Sequence, residues 1–307
     1  MKNNNDLIII AGPCSYDDSN LNVLYELSQI QVIKKSGKKE RATFGVRLVG
    51  LKSRTKIYKD GSFMGYDYDT YIRNLEILRR GGNSSEFIKL PSIEICEKII
   101  KDTNMIVGLE LMSNSIQLPQ LAKYIPDGKL LIWNPAINQL GWPILEVSAI
   151  ASKKRWYVGL KNGKWLGEEN SNGQTPLENT WSGLVSFSKD YFPMSLDNIF
   201  LIHRGVEVEH KGDFRSKLIH NIAHNTKKST GAKLFFDPSH SYGPKLKHMI
   251  VEDTIKAMKL KTEEGNFLYN GILIEVGTAQ TDTEQHISIE EYTTLVNELS
   301  DFRNLLA

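Results

Sequence analysis

Short apolar, β-branched runs alternate along the chain with longer stretches whose apolar residues recur every three to four positions. The runs are LIIIA (7–11), TFGVRLVGL (43–51), MIVGLEL (105–111), KLLIW (129–133), WYVGL (156–160), IFLIH (199–203), KLFFD (233–237) and GILIE (271–275). Their length and their bounding turn residues predict eight buried strands. Helical periodicity marks NLNVLYELSQIQVIKK (20–35), PSIEICEKIIKD (91–102), SIQLPQLAKYI (115–125), PILEVSAIASKK (143–154), GDFRSKLIHNIAHNTKK (212–228) and LKHMIVEDTIKAMKLK (246–261). A last helix is expected over SIEEYTTLVNELSDFRNLL (288–306). Eight strand–helix alternations predict a parallel sheet, whose simplest closed form is the (β/α)8 TIM barrel; a doubly wound open sheet is the competing arrangement. No linker or shift in composition divides residues 1–307, so one barrel domain is expected. The polar stretch GEENSNGQTPLENTWSG (167–183) reads as a long loop after the fifth strand.

Composition narrows the partners. The chain has 307 residues, 40% hydrophobic and 24% charged, with a net charge of +2, too balanced for a nucleic-acid binder. Its two cysteines, Cys14 and Cys96, are too few for a disulfide scaffold and suit a reducing compartment. No apolar run reaches the length of a membrane span, and the opening MKNNND lacks a signal-peptide pattern. The expectation is a soluble cytoplasmic protein that handles small-molecule substrates and associates with copies of itself, not with nucleic acid or membrane.

A barrel gathers its chemistry at the carboxyl ends of its strands, and the residues there are not a random set. Cys14 follows the first strand on a rigid Gly12-Pro13 turn. Arg47 lies near the end of the second, with Lys52, Arg54 and Thr55 just beyond. Lys161 and Asn162 end the fifth strand, His203 and Arg204 the sixth, and Asp237 and His240 follow the seventh. Glu275 ends the eighth, with Asp282 in the loop after it. Cys14 alone is read most simply as a small buried hydrophobe. Together, Cys14, His240, Glu275 and Asp282 form a sulfur, nitrogen and oxygen donor set suited to Mn²⁺, Fe²⁺, Co²⁺ or Zn²⁺. Arg47, Lys52, Arg54, Lys161 and Arg204 would crowd one pocket with cations, which makes sense for a ligand bearing carboxylate or phosphate.

Seven motifs occur in an order that resembles the first class of 3-deoxy-7-phosphoheptulonate (DAHP) synthases. They are AGPCS (11–15), KSRT (52–55) with FMG (63–65), GLKNG (159–163), IHRG (202–205), DPSHSYG (237–243), LIE (273–275) and TDTEQ (281–285). The resemblance implies condensation of phosphoenolpyruvate with erythrose 4-phosphate at a divalent metal, the opening step of the shikimate pathway. It also implies metal ligation by Cys14, His240, Glu275 and Asp282. Lys52, Arg47, Lys161 and Arg204 would surround phosphoenolpyruvate, Arg54 and Thr55 would hold the aldose phosphate, and Lys52 would move the proton at the aldehyde oxygen. One departure falls at the site. The family places Gly-Ala-Arg after the fourth strand, and this chain has Asn134-Pro135-Ala136, so the arginine position is Ala136. A paralogous synthase with a changed donor or acceptor, and a non-catalytic metal- or ligand-binding barrel, are the alternatives.

Overall fold

The computed structural model describes residues 5–33, 37–52, 65–134, 141–162, 173, 175–277 and 284–307. All eight expected strands form. They are β1 (Asp6–Gly12), β4 (Gly45–Arg47), β5 (Ile106–Glu110), β6 (Leu130–Trp133), β7 (Tyr157–Lys161), β8 (Ile199–His203), β9 (Lys233–Phe236) and β10 (Gly271–Glu275). Each pairs in parallel with the next, and β10 returns to β1 in the register Ile8↔Gly271 through Gly12↔Glu275. That last pairing excludes the open sheet: the fold is a closed (β/α)8 barrel.

Strand periodicity sorts the core into two layers. Ile8, Ile10, Ile106, Leu131, Trp133, Phe200, Ile202, Phe235 and Leu273 fill the lumen. Their alternating neighbours, such as Leu7, Ile9, Val107, Leu201, Leu234 and Ile274, pack outward against the helices. A cavity of ≈ 1060 Å³ opens at the amino-terminal ends of the strands, beside Ile8, Phe44, Tyr157, Lys233 and Asn270. It lies at the opposite end of the barrel from the residues singled out above.

The helices depart from the sequence pattern where local chemistry overrides periodicity. The first, α1 (Leu21–Gln29), stops early because Gln31–Ile33 (β2) pairs antiparallel with Lys39–Arg41 (β3). The weakly amphipathic α2 (Tyr68–Arg79) was not anticipated, whereas α3 (Pro91–Thr103), α4 (Asn114–Tyr124) and α5 (Gly141–Lys154) lie where periodicity puts them. The loop expected over 167–183 is corrected in its second half, where α6 (Pro176–Ser186) begins. Thr175 caps it, Glu178 completes a capping box, and Leu177, Trp181 and Leu184 supply its buried stripe. The next helix, α7 (His220–Thr230), starts later than expected; α8 (Pro238–Tyr242) is a single turn, and α9 (Ile250–Lys259) follows it.

The final helix, α10 (Ile289–Ser300), ends short of residue 306 because Asn304–Leu306 (β11) joins the sheet beside the start of β1. Arg303 fixes that turn. Its buried guanidinium donates to the carbonyls of Asp6 and Tyr269 (both 3.0 Å), Met258 (3.1 Å) and Asn5 (3.2 Å). Arg303→Leu should therefore lower unfolding stability by ~1.5–3 kcal/mol, the range for hydrogen bonds to a charged group. Urea unfolding reads the loss; an unchanged midpoint would mean that water replaces the guanidinium.

Candidate active site

The inward-pointing positions at the carboxyl ends of the strands carry the polar residues. Arg47, Lys161, Arg204, Asp237 and Glu275 sit one step above the apolar lumen and are at most 5% exposed. Gly12 makes room for the first of them. Its φ is +146°, and a Cβ there would lie 2.8 Å from the Arg47 carbonyl oxygen and 3.1 Å from the Arg47 Cγ. The Gly-Pro turn then delivers Cys14, which is 4% exposed, to the rim.

Three donors converge there. The Cys14 Sγ, a His240 ring nitrogen and a Glu275 carboxylate oxygen all lie within 4.8 Å of one another. Two ligands that share one cation at about 2.0–2.3 Å lie at most about 4.6 Å apart, so the three donors form a cluster near the size that one divalent ion draws together. The set is prepared for that role. Asp237 accepts from the His240 Nδ1 at 2.9 Å, which leaves Nε2 unprotonated and facing Glu275 Oε1 at 3.3 Å. Burial lowers the His240 pKa to about 3, so the ring is neutral, as a ligand must be. Burial works against the Glu275 charge, but the positive field beside it, with the Arg47 guanidinium at 3.4 Å, outweighs burial and holds its pKa below the usual carboxylate range. Asp237 is likewise buried, and His240 and Lys161 hold its pKa well below the usual carboxylate range.

Cations gather around this set. Arg47 Nη1 lies 3.4 Å from Glu275 Oε1, with its guanidinium 5.7 Å over the Trp133 ring. Burial opposes the Arg47 charge, and the fields of Glu275 and Cys14 more than restore it, so its pKa is raised. Lys161 Nζ pairs with Asp237 Oδ2 at 3.1 Å, and Lys52 Nζ donates to Cys14 Sγ at 3.1 Å. Arg204 is different: burial lowers its pKa, and its Nε and Nη2 have no hydrogen-bond partner among the described residues. Arg47 Nε and Nη1 also lack one. Buried guanidinium donors without hydrogen bonds are costly to the fold, and donors of this kind suit an anion.

The structure thus brings together Cys14, Arg47, Lys52, Lys161, Arg204, His240 and Glu275. Arg54, Thr55, Asp282 and Ala136 lie outside the described residues. Other residues at the strand ends support these groups. Asp237 orients His240. Asn134 accepts from the Lys161 N–H at 2.8 Å and donates to its carbonyl at 3.1 Å. Asn162 does the same one strand on, with the Arg204 N–H at 2.8 Å and the Gly205 carbonyl at 3.0 Å. These asparagines extend the strand ladder and fix the backbones that carry Lys161 and Arg204. Their shared signal is an Asn immediately after a strand. Ser239, Gln285 and His286 also support the donors: Ser239 Oγ accepts from the Glu275 N–H at 2.9 Å. Ser239 and Gln285 fall inside the motifs DPSHSYG and TDTEQ, but nothing in those motifs marks their supporting roles.

No family model matches the chain, and no curated protein matches it either. Solved structures do. One is phospho-2-dehydro-3-deoxyheptonate aldolase (DAHP synthase) from Thermotoga maritima, with 18% identity, a TM-score of 0.68 and 99% of this chain covered against 72% of that one. Another is a truncated form of 3-deoxy-D-arabino-heptulosonate 7-phosphate synthase from the same organism, with 18% identity, a TM-score of 0.64 and coverage of 99% and 90%. At that identity the likeness establishes the barrel. No helix among the described residues is long and apolar enough to cross a membrane.

Proposed function

We propose that the protein condenses phosphoenolpyruvate with a phosphorylated aldose, as a DAHP synthase-like transferase of the first class. The observation that carries this is the pair of buried guanidinium groups, Arg47 and Arg204, with donors that make no hydrogen bond among the described residues, beside a cysteine–histidine–glutamate cluster. Such a pocket suits a small, multiply charged anion next to a divalent cation. The ordered motifs from AGPCS to TDTEQ and the shape of the two Thermotoga barrels support the same reading.

In this mechanism Arg47, Lys161 and Arg204 hold the carboxylate and phosphate of the donor, with their backbones fixed by Asn134 and Asn162. Cys14, His240 and Glu275, with Asp282, hold the cation, which when bound supplies Lewis-acid polarisation of a carbonyl. Arg54 and Thr55 take the distal phosphate of the aldose. C3 of the enol then attacks the aldehyde carbon. Lys52 delivers a proton to the aldehyde oxygen, a general-acid role for an ammonium held among other charges. Water adds at C2, and the resulting hemiketal phosphate expels inorganic phosphate to leave the ketone.

Ala136 favours a second reading, in which the donor or acceptor differs because the phosphate subsite has one cation fewer. Phosphate release from phosphoenolpyruvate, across a panel of phosphorylated and free aldoses with and without Mn²⁺, separates the two. Release that requires erythrose 4-phosphate and Mn²⁺ is the expected result. Release with another aldose moves the protein to the second reading, and no release with any aldose overturns the first.

A further inference from the structure

We propose that Gln285 is a positioning residue that decides which oxygen of Glu275 faces the cation site. The inference rests on Cys14, His240 and Glu275 being metal donors, as argued above. Gln285 is fully buried, and both ends of its amide are used. Its Nε2 donates to Glu275 Oε2 at 2.7 Å, and its Oε1 accepts from Arg215 Nη1 at 2.7 Å. A carboxylate only accepts and a guanidinium only donates, so the amide can stand in one orientation only. With Oε2 taken, Glu275 Oε1 is left facing His240 and Arg47, without a hydrogen-bond partner among the described residues.

That arrangement settles a contest. Arg47 Nη1 lies 3.4 Å from Glu275 Oε1, and the strongest carboxylate contact an arginine makes is the bidentate fork–fork pair. Such a pair would engage both oxygens and withdraw them from a cation. By holding Oε2, Gln285 keeps Arg47 to the edge of one oxygen and leaves that oxygen exposed to the neighbouring Cys14 and His240 donors.

The backbone explains how a residue beyond the last strand reaches this position. Residues 285–287 return beside the end of β10, where Ile287 N–H donates to the Glu275 carbonyl at 3.0 Å and Gly277 N–H to the Ile287 carbonyl at 2.9 Å. The adjacent His286 points to the other donor strand, and its Nε2 accepts from the Cys14 N–H at 2.9 Å. Arg215, at the far end of the relay, lies next to Ser216, whose N–H donates to the Ser241 carbonyl at 3.0 Å, one residue from His240. One dipeptide, Gln285-His286, therefore touches both strands that supply metal donors.

Co²⁺ is the probe, because a Cys14 thiolate bound to it gives a near-ultraviolet charge-transfer band that can be titrated against a competing chelator in the absence of substrate. Gln285→Met keeps the length and burial of the side chain but makes neither hydrogen bond. Gln285→Glu keeps an acceptor for Arg215 but sets a carboxylate against Glu275. Both should bind Co²⁺ about 10–100-fold more weakly than wild type, the usual cost of removing a partner of a metal ligand, with unchanged circular dichroism. Wild-type Co²⁺ affinity in Gln285→Met would overturn the proposal, since filling space would then be the residue's whole role. A wild-type protein that shows no thiolate band would instead overturn the donor set, and the inference with it.

Discussion

Exhaustive chelation should bring phosphate release from phosphoenolpyruvate to background while leaving the barrel folded. Cys14, His240 and Glu275 stand on the rim, above a lumen closed by Trp133, Phe200, Phe235 and Leu273. The apolar core is complete without them, unlike that of a zinc finger, whose folding energy is its metal-binding energy. On the proposed mechanism, removing the cation would take away the polarisation of the aldehyde and leave the strands paired. Readdition of Mn²⁺ should restore release, and urea unfolding midpoints should hardly move between the two forms. Cys14→Ser tests the same point without chelator. It changes little volume at a buried position, but it replaces a soft thiolate with a hydroxyl that stays protonated and binds such ions poorly. Activity in that variant should fall to background with stability nearly intact. Glu275→Leu should behave differently, because it leaves the Arg47 guanidinium buried without its carboxylate; breaking a buried pair from one side costs about 3–5 kcal/mol. Full turnover in demetallated protein would remove the metal from the mechanism.

The alternation of strands and helices was enough to read the barrel from sequence, because each strand is a continuous apolar run buried on both faces. Of the candidate site, the placement of some residues was legible, while Arg54, Thr55 and Asp282 lie outside the described residues. Period two fixes that Arg47, Lys161, Arg204 and Glu275 point inward once their strands are placed, and closure brings them together. Two kinds of feature stayed hidden. Helix α6 sits in a polar stretch, and its signals (Thr175, Pro176 and Glu178 at the start, then Leu177, Trp181 and Leu184) compete with eight glycine, asparagine and serine residues over 167–183 that suggest a loop. Supporting residues were hidden for another reason. Gln285 and His286 act through contacts across the barrel to Glu275, Arg215 and Cys14, at separations of up to 272 positions, and no local pattern encodes such a meeting. Asp237 lay in plain view beside His240, but its role depends on a side-chain rotamer that caps α8 and reaches both His240 and Lys161.

Acid should destabilise the protein through His203, well above the pH at which carboxylates protonate. His203 lies on β8 but points away from the lumen, into a pocket formed by Trp181, His220, Phe236 and Tyr269. Its Nδ1 lies 3.1 Å from the Tyr269 hydroxyl, which also meets the His220 Nδ1 at 2.7 Å. Its Nε2 has no partner among the described residues. Burial, reinforced by His220 and opposed weakly by Asp237, lowers its pKa from 6.5 to about 3. The folded protein therefore keeps this ring neutral, while the unfolded chain binds a proton below about pH 6.5. Stability is complete above that pH and falls as pH drops through the window, by about 1.4 kcal/mol per unit for one group. Between pH 6.5 and 4 the loss is about 3 kcal/mol, a large share of the ~5–15 kcal/mol that holds a typical domain. His203→Asn retains a polar group opposite Tyr269 but cannot titrate. His240, also buried and neutral, contributes equally in both proteins and cancels from the comparison. Urea unfolding of wild type and His203→Asn at pH 7, 5.5 and 4 should show the variant less stable or equal at pH 7, with a pH slope smaller by one proton. Parallel slopes would mean that His203 takes up its proton in the folded state, through water reaching its Nε2.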